Sequence, residues 1–311
     1  MANYFSNQNS AKGQERIYLS TSTSPTSSGS LAKREAENLR RAMCSFTSIR
    51  GVTNCGMNLL LVKVSLGKRE IVEVTDRCNN KHVCPSCMRY HYWKLGKKLK
   101  GAIDFWTQSG GAVYTQTLTL PNRNKRLIYK HEDLARVWTA MGKTKSFVAL
   151  KRQFGMQQSL RVLEDVLGVK YSFPHFHLTW FFQQDLQAQE MEAFCREVAQ
   201  IWELSANKCG VRGVQASKQW SGPIQRSTTS YCNYLFKHGY LDLNFNPEDP
   251  NNAKQGLKPL DYLRVLVATG DFEMLKSWLD YEQATTHRHR VQPSKHFQWG
   301  EDGSPHTTKV Q

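Results

Sequence analysis

The sequence predicts an α+β fold: an antiparallel sheet with a His-x-His pair on a central strand, helices packed mainly on one face, and a small Cys-rich element alongside. Three observations predict it. Strand signals are separated by helical excursions and twice fall into hairpin-like pairs. Residues 174–180 read Pro-His-Phe-His-Leu-Thr-Trp, and residues two apart on a strand share a face, so His175 and His177 sit side by side while Phe176 turns into apolar packing. Cys78, Cys84 and Cys87 cluster within ten residues. At 311 residues and 40% hydrophobic content the chain can bury a sizeable core.

The elements follow in order. Residues 1–30 are polar and Ser/Thr-rich, a composition that cannot offset ordering entropy, and read as a disordered tail. Residues 31–43 read as a basic helix. Asn58–Val64 and Glu70–Thr75 read as a hairpin around Leu66-Gly67-Lys68. Residues 88–106 have apolar residues at helical spacing and a Lys-rich opposite face. Ala112–Leu120 is a strand stopped by Pro121, and 131–154 is one basic amphipathic helix. Arg161–Val166 and Phe176–Phe182 are two strands joined around Gly168 and Pro174. Gln187–Ala206 is a helix and Val211–Gln215 a short strand. Residues 224–239 read as a helix closed by Gly239, and 244–258 as a loop. Pro259–Leu266 and Asp271–Ala284 are short helices, followed by a basic, His-rich tail from His287.

Charge narrows the function. Against 26 Asp and Glu stand 42 Lys and Arg, a formal net charge of +16, which predicts a polyanionic partner, most simply nucleic acid. An anionic membrane surface is the rival. The chain has no run of 18 apolar residues and no signal-peptide core near its start, so a cytoplasmic location is expected. There, eight cysteines point to metal rather than to a disulfide framework.

Two metal sites are expected. Paired imidazoles can hold a divalent cation, Mg²⁺ or Mn²⁺, and Glu164 on the preceding strand can reach the same ion. The Cys84-x2-Cys87 knuckle has structural zinc spacing, with Cys78 a third ligand. His82, His91, Cys55 and Cys44 are all available as the fourth. No acid lies among residues 77–100, so Lys94, Lys97, Lys98 and Lys100 are expected to face phosphates. Tyr231, Tyr234 and Lys237 lie three apart along one helical stripe. A tyrosine hydroxyl with a pKa of about 10 is a weak nucleophile, and a nearby lysine or cation would favour its phenolate.

In this order the pieces resemble the plasmid rolling-circle replication initiators, the Rep proteins of the HUH endonuclease superfamily. Cys78…Cys84-Pro-x-Cys87 is similar to their cysteine motif, Tyr114–Leu120 to their first motif, and Glu164 with Pro174-His175-Phe176-His177 to their second. Asn233-Tyr234-Leu-Phe-Lys237 resembles the third, Lys-Tyr-x-x-Lys. Residues 280–290, then Ser294-Lys-His-Phe, are similar to their tail segment. The resemblance implies an HUH/RRM-like core that nicks one DNA strand at a plasmid origin. Tyr234 would be the nucleophile, leaving a 5′-phosphotyrosyl link and a 3′-OH primer, with Lys237 stabilising charge and Tyr231 the candidate second nucleophile. It also implies a host helicase and polymerase as partners. Its domain division is a tail (1–30), a basic region with the zinc knuckle (31–106), a catalytic core (107–243), a C-terminal helical segment (244–297) and a flexible end (298–311). Two features depart from the family: Ser230 stands where a Glu is common four residues before the nucleophile, and Asn233 where a Lys precedes it. Transposases and relaxases share the chemistry. A phosphodiesterase with two His-x-Thr strands would need a second copy beside His177-Leu-Thr179, and a zinc-stabilised DNA-binding protein would have no chemistry at all.

Overall fold

A computed structural model describes residues 27–57, 59–66, 68–168, 172–223, 228–239, 241–242, 244–249 and 256–300. The tail expected over 1–30 lies outside them up to residue 26, as do residues 224–227 and the end from 301. Helix α1 (Ser27–Met43) starts inside the expected tail, and α2 (Arg50–Thr53) follows. Strands β1 (Leu59–Leu66) and β2 (Lys68–Thr75) form the expected antiparallel hairpin as a separate two-stranded sheet.

The main sheet is five-stranded and antiparallel throughout, in the order β6-β3-β5-β4-β7. Its members are β3 (Ala112–Thr119), β4 (Met156–Val166), β5 (Phe173–Phe182), β6 (Trp220–Pro223) and β7 (Val291–Pro293). The His-x-His strand β5 is central, and nine of its ten residues are buried. A strand covered on both faces reads as a continuous apolar run, as Phe176–Phe182 does outside His177 and Thr179.

Helices cover both faces, which corrects the expectation that one face would carry most of them. Strand alternation sends Phe176, Leu178, Trp180 and Phe182 into a core with α4 (Leu127–Gly142), α5 (Lys145–Gln153) and α6 (Ala188–Lys208). The opposite face of the sheet, through Leu160, Val162 and Phe181, packs on α3 (Pro85–Gln108) and α7 (Thr228–Leu235). A third cluster joins α1, α2 and the cysteines to α8 (Pro259–Thr269) and α9 (Phe272–Thr285).

Three other expectations change. The single helix over 131–154 is two, because Thr144 caps α5 by accepting from the Phe147 amide after a break at Gly142-Lys143. Val211–Gln215 is not a strand; the pairing falls at Trp220–Pro223 instead. The expected helix over 224–239 is α7 followed by a 3-10 turn at Lys237–Gly239. The expected domain limits do not separate packing units, since β7, from the C-terminal segment, pairs with β4, and Leu257 bridges Leu167.

Strand β7 is held by a buried ion pair. Arg290 Nη2 lies 2.9 Å from Asp165 Oδ2, and both side chains are essentially inaccessible. Arg290 also donates to the Tyr281 hydroxyl at 2.9 Å and to the Leu163 carbonyl at 3.2 Å. His131 Nε2 takes the other Asp165 oxygen at 2.6 Å. Removing one member of such a pair strands an uncompensated charge, so Arg290→Ala is expected to lower unfolding free energy by about 3–5 kcal/mol in a denaturant titration. A change under about 1 kcal/mol would show that the pair does not hold the strand.

Candidate metal centre

The centre is built where β4, β5 and the turn after α7 meet. In the antiparallel register Glu164 stands opposite His175, and Val162 opposite His177, so the carboxylate and both imidazoles share a face. His175 Nε2 and His177 Nε2 are 3.2 Å apart. Glu164 Oε2 lies 3.5 Å from His175 Nε2 and within hydrogen-bond contact of His177 Nε2. The three ligand atoms all lie within 4.8 Å of one another, close enough to converge on a single ion. The trio could hold a metal.

Each imidazole is oriented from behind. Nδ1 of His177 is 3.1 Å from the Thr117 hydroxyl on β3, and Nδ1 of His175 is 3.3 Å from the Phe173 carbonyl. Such partners fix the tautomer and turn Nε2 toward the Glu164 carboxylate, where a ligand atom is needed. Burial holds His177 below the ordinary histidine range, against the upward pull of Glu164. A neutral imidazole is the form that binds metal. The alternation of Thr115, Thr117 and Thr119 along β3 is the sequence signal for Thr117, whose role depends on the strand beside it.

Lys237 and Tyr234 close the centre. Lys237 Nζ takes the second Glu164 oxygen at 2.7 Å and lies 4.1 Å from the centre of the Tyr234 ring. Tyr234 packs edge-on to His177 with centroids 5.5 Å apart, yet remains 41% exposed. Gly239 allows the turn carrying Lys237 to approach α3: a Cβ there would lie 2.6 Å from Tyr92 Cβ. Phe236 stacks on Tyr92 at 5.9 Å.

Tyr231 is placed differently from the second-nucleophile expectation. Its hydroxyl is buried, 2.7 Å from Thr179 Oγ1 and donating to Thr115 Oγ1 at 3.2 Å, and burial pushes its pKa up to about 12. It pins α7 to the sheet and offers no open hydroxyl to a phosphate. Ser230 is exposed.

The second group is Cys55, Cys78, Cys84 and Cys87, with all four sulfurs within 4.8 Å of one another. Cys55 therefore completes the set, and His82 and His91 are not part of it. Sγ separations of 3.5 Å (Cys55–Cys87) and 3.7 Å (Cys78–Cys87) match the roughly 3.8 Å between thiolates around a tetrahedral zinc with bonds of about 2.3 Å. The group could bind zinc. Without a cation the cluster favours one thiolate: hydrogen bonds from Cys78, Cys84 and Cys87 drive the Cys55 thiol down, while bonding to Cys55 pushes the other three up. A divalent cation held by these four sulfurs would favour the thiolate form of each.

Of the lysines expected to face phosphates, Lys97 is exposed and stacks over Trp93 at 4.1 Å, and Lys94 and Lys98 are half-buried on the same helix. Lys100 is instead paired with Asp104 one turn on, which takes up part of its charge. Among the described residues no helix is long and apolar enough to cross a membrane. No protein-family model, curated protein or solved structure matches the chain.

The cysteine geometry yields a direct test. Purified protein is expected to contain one zinc per chain by atomic emission. Cys55→Ser is expected to lose most of it and to melt at lower temperature, whereas Cys44→Ser keeps both. Full zinc content in Cys55→Ser would remove it from the ligand set.

Proposed function

We propose that this protein is a site-specific, single-strand DNA nickase of the kind that initiates plasmid rolling-circle replication. One observation carries the reading: a half-exposed tyrosine stands beside a three-ligand metal centre, with a lysine bridging the two. The resemblance of the motifs and the net charge of +16 support it.

His175, His177 and Glu164 would hold Mg²⁺ or Mn²⁺, with imidazole favouring Mn²⁺. When bound, the cation supplies Lewis-acid polarisation of the scissile phosphate. Thr117 keeps Nε2 of His177 aimed at the centre. Glu164 is buried and shared with Lys237, so the ligand set carries little net charge before substrate arrives. Tyr234 Oη would attack phosphorus, giving its proton to solvent. The bond from phosphorus to the 3′ oxygen breaks, and that oxygen leaves as a 3′-OH after taking a proton. The product is a 5′-phosphotyrosyl link, and its retained phosphodiester allows later rejoining. Lys237, over the Tyr234 ring, stabilises phenolate character and the charge growing on phosphate. Zinc at the four cysteines would be structural, with Lys94, Lys97 and Lys98 contacting DNA backbone. A host helicase would separate the strands and a host polymerase would extend the 3′-OH.

The test uses a random pool of single-stranded oligonucleotides with Mn²⁺, read as a denaturation-resistant protein–DNA adduct. Wild type is expected to form it, and sequencing the captured DNA would identify the nick site. Tyr234→Phe is expected to bind DNA but to form no adduct; undiminished adduct in that variant would sink the assignment. A protein that binds the pool and never forms adduct would be a zinc-stabilised binder instead.

Tyr231→Phe is expected to keep adduct formation and strand rejoining at wild-type levels. Losing its buried hydroxyl bonds should cost about 1 kcal/mol of stability. Loss of rejoining alone would restore Tyr231 to the chemistry.

A further inference from the structure

Trp220 is 52% exposed, an unusual state for a residue that sits within a sheet strand. It lies on β6, at the edge of the five-stranded sheet. Its register partner is Thr117, and the partner of Thr117 on β5 is His177. Residues directly opposite on antiparallel strands share a face, so Trp220, Thr117 and His177 form one row on the face that carries the metal centre. Two strand spacings of about 4.8 Å put the Trp220 backbone about 10 Å from that of His177.

The position of the indole is set by Gly222. A Cβ on Gly222 would lie 3.2 Å from Cζ2 of Trp220, tighter than an ordinary contact. The six-membered ring of the indole therefore rests over the glycine, along the strand, and its outer side is open to solvent. Tyr234 packs edge-on against His177 and is also half-exposed. The metal centre is thus bordered by an open aromatic ring at the sheet edge and by the tyrosine at the helix. Trp220 and His177 lie two strands apart on one row, so a single strand with a phosphate at the metal centre can lay a neighbouring base over the open indole.

We propose that Trp220 is a stacking platform for an unpaired nucleobase flanking the phosphate at the metal centre. The inference rests on the nickase reading for the phosphate's place, and adds the residue that would hold the unpaired strand on the β6 side. Base–aromatic stacking tolerates any base, because every base has a π face. Trp220 would therefore supply affinity and strand state, leaving sequence choice to other contacts. A paired base cannot offer its face to a ring, so a duplex would not gain from it.

The test measures anisotropy of labelled, mixed-sequence single strands and of blunt-ended, fully paired duplex DNA, using full-length Tyr234→Phe protein so that binding is read without cleavage. Adding Trp220→Ala is expected to weaken single-strand binding about tenfold, to leave duplex binding unchanged, and to leave the salt slope unchanged because no phosphate contact is lost. Trp220→Phe is expected to recover most of the affinity. Equal loss on duplex and single strand, a changed salt slope, or no loss at all would each overturn the stacking role. The nickase reading fails separately: wild-type protein that forms no adduct, yet shows the Trp220-dependent single-strand affinity, would retain the platform and lose the chemistry.

Discussion

Two consecutive residues of one strand, Glu164 and Asp165, are both buried carboxylates, 1% and 0% exposed. Burying a charge without partners costs several kcal/mol, so each one dictates what must pack around it. Successive side chains on a strand point to opposite faces, and the two sets of partners differ accordingly. Asp165 receives His131 from α4 and Arg290 from the segment leading into β7. Glu164 receives His175, His177 and Lys237. The first set is made entirely of protein groups and ties the C-terminal segment to the sheet. The second converges three ligand atoms on one point, which is the arrangement a cation completes. Strand β4 thus carries a structural anchor and a candidate reactive centre on neighbouring residues.

What was legible in the sequence follows from this. The His-x-His alternation is a local property of a strand, and Glu164 lies on the strand just before it, near enough in sequence for a hairpin to bring it alongside. The long helices announced themselves by apolar spacing. The short edge strands did not: Trp220-Ser-Gly-Pro223 contains a glycine and a proline, and Val291-Gln-Pro293 is three residues long. Neither has strand character without the neighbour it pairs with, so tertiary context decides both. The break between α4 and α5 depends on Thr144 capping its own helix, a detail that an amphipathic pattern running through it conceals.

The site residues show the same division. Tyr231 and Tyr234 lie three apart on one stripe and are alike by periodicity. An offset of about 60° around the helix sends one hydroxyl between two sheet threonines and leaves the other ring half in solvent. Cys55 was one of four possible fourth ligands because it is 23 residues from Cys78, across a whole hairpin, with no spacing rule to select it. The fold selects it by returning β2 to the point where β1 began, since Leu59 pairs with Thr75.

Helix α3 links the two candidate metal groups. Its N-cap is Cys84 and its first turn contains Cys87, so its start is fixed by the cysteine group. Its next two turns carry Met88 and Tyr92, against which Gly239 and Phe236 pack. Those residues bracket the turn that holds Lys237 on Glu164. An α-helix is stiff over this length of about 12 Å (roughly 1.5 Å per residue), so the geometry of the cysteines sets the height of the Lys237 turn over the sheet. The cysteine group is in this sense part of the candidate metal centre at Glu164, His175 and His177 without touching it. Loosening the sulfurs would release the first turn of α3, and the lysine and tyrosine would lose their registration with the imidazoles before the sheet itself was disturbed.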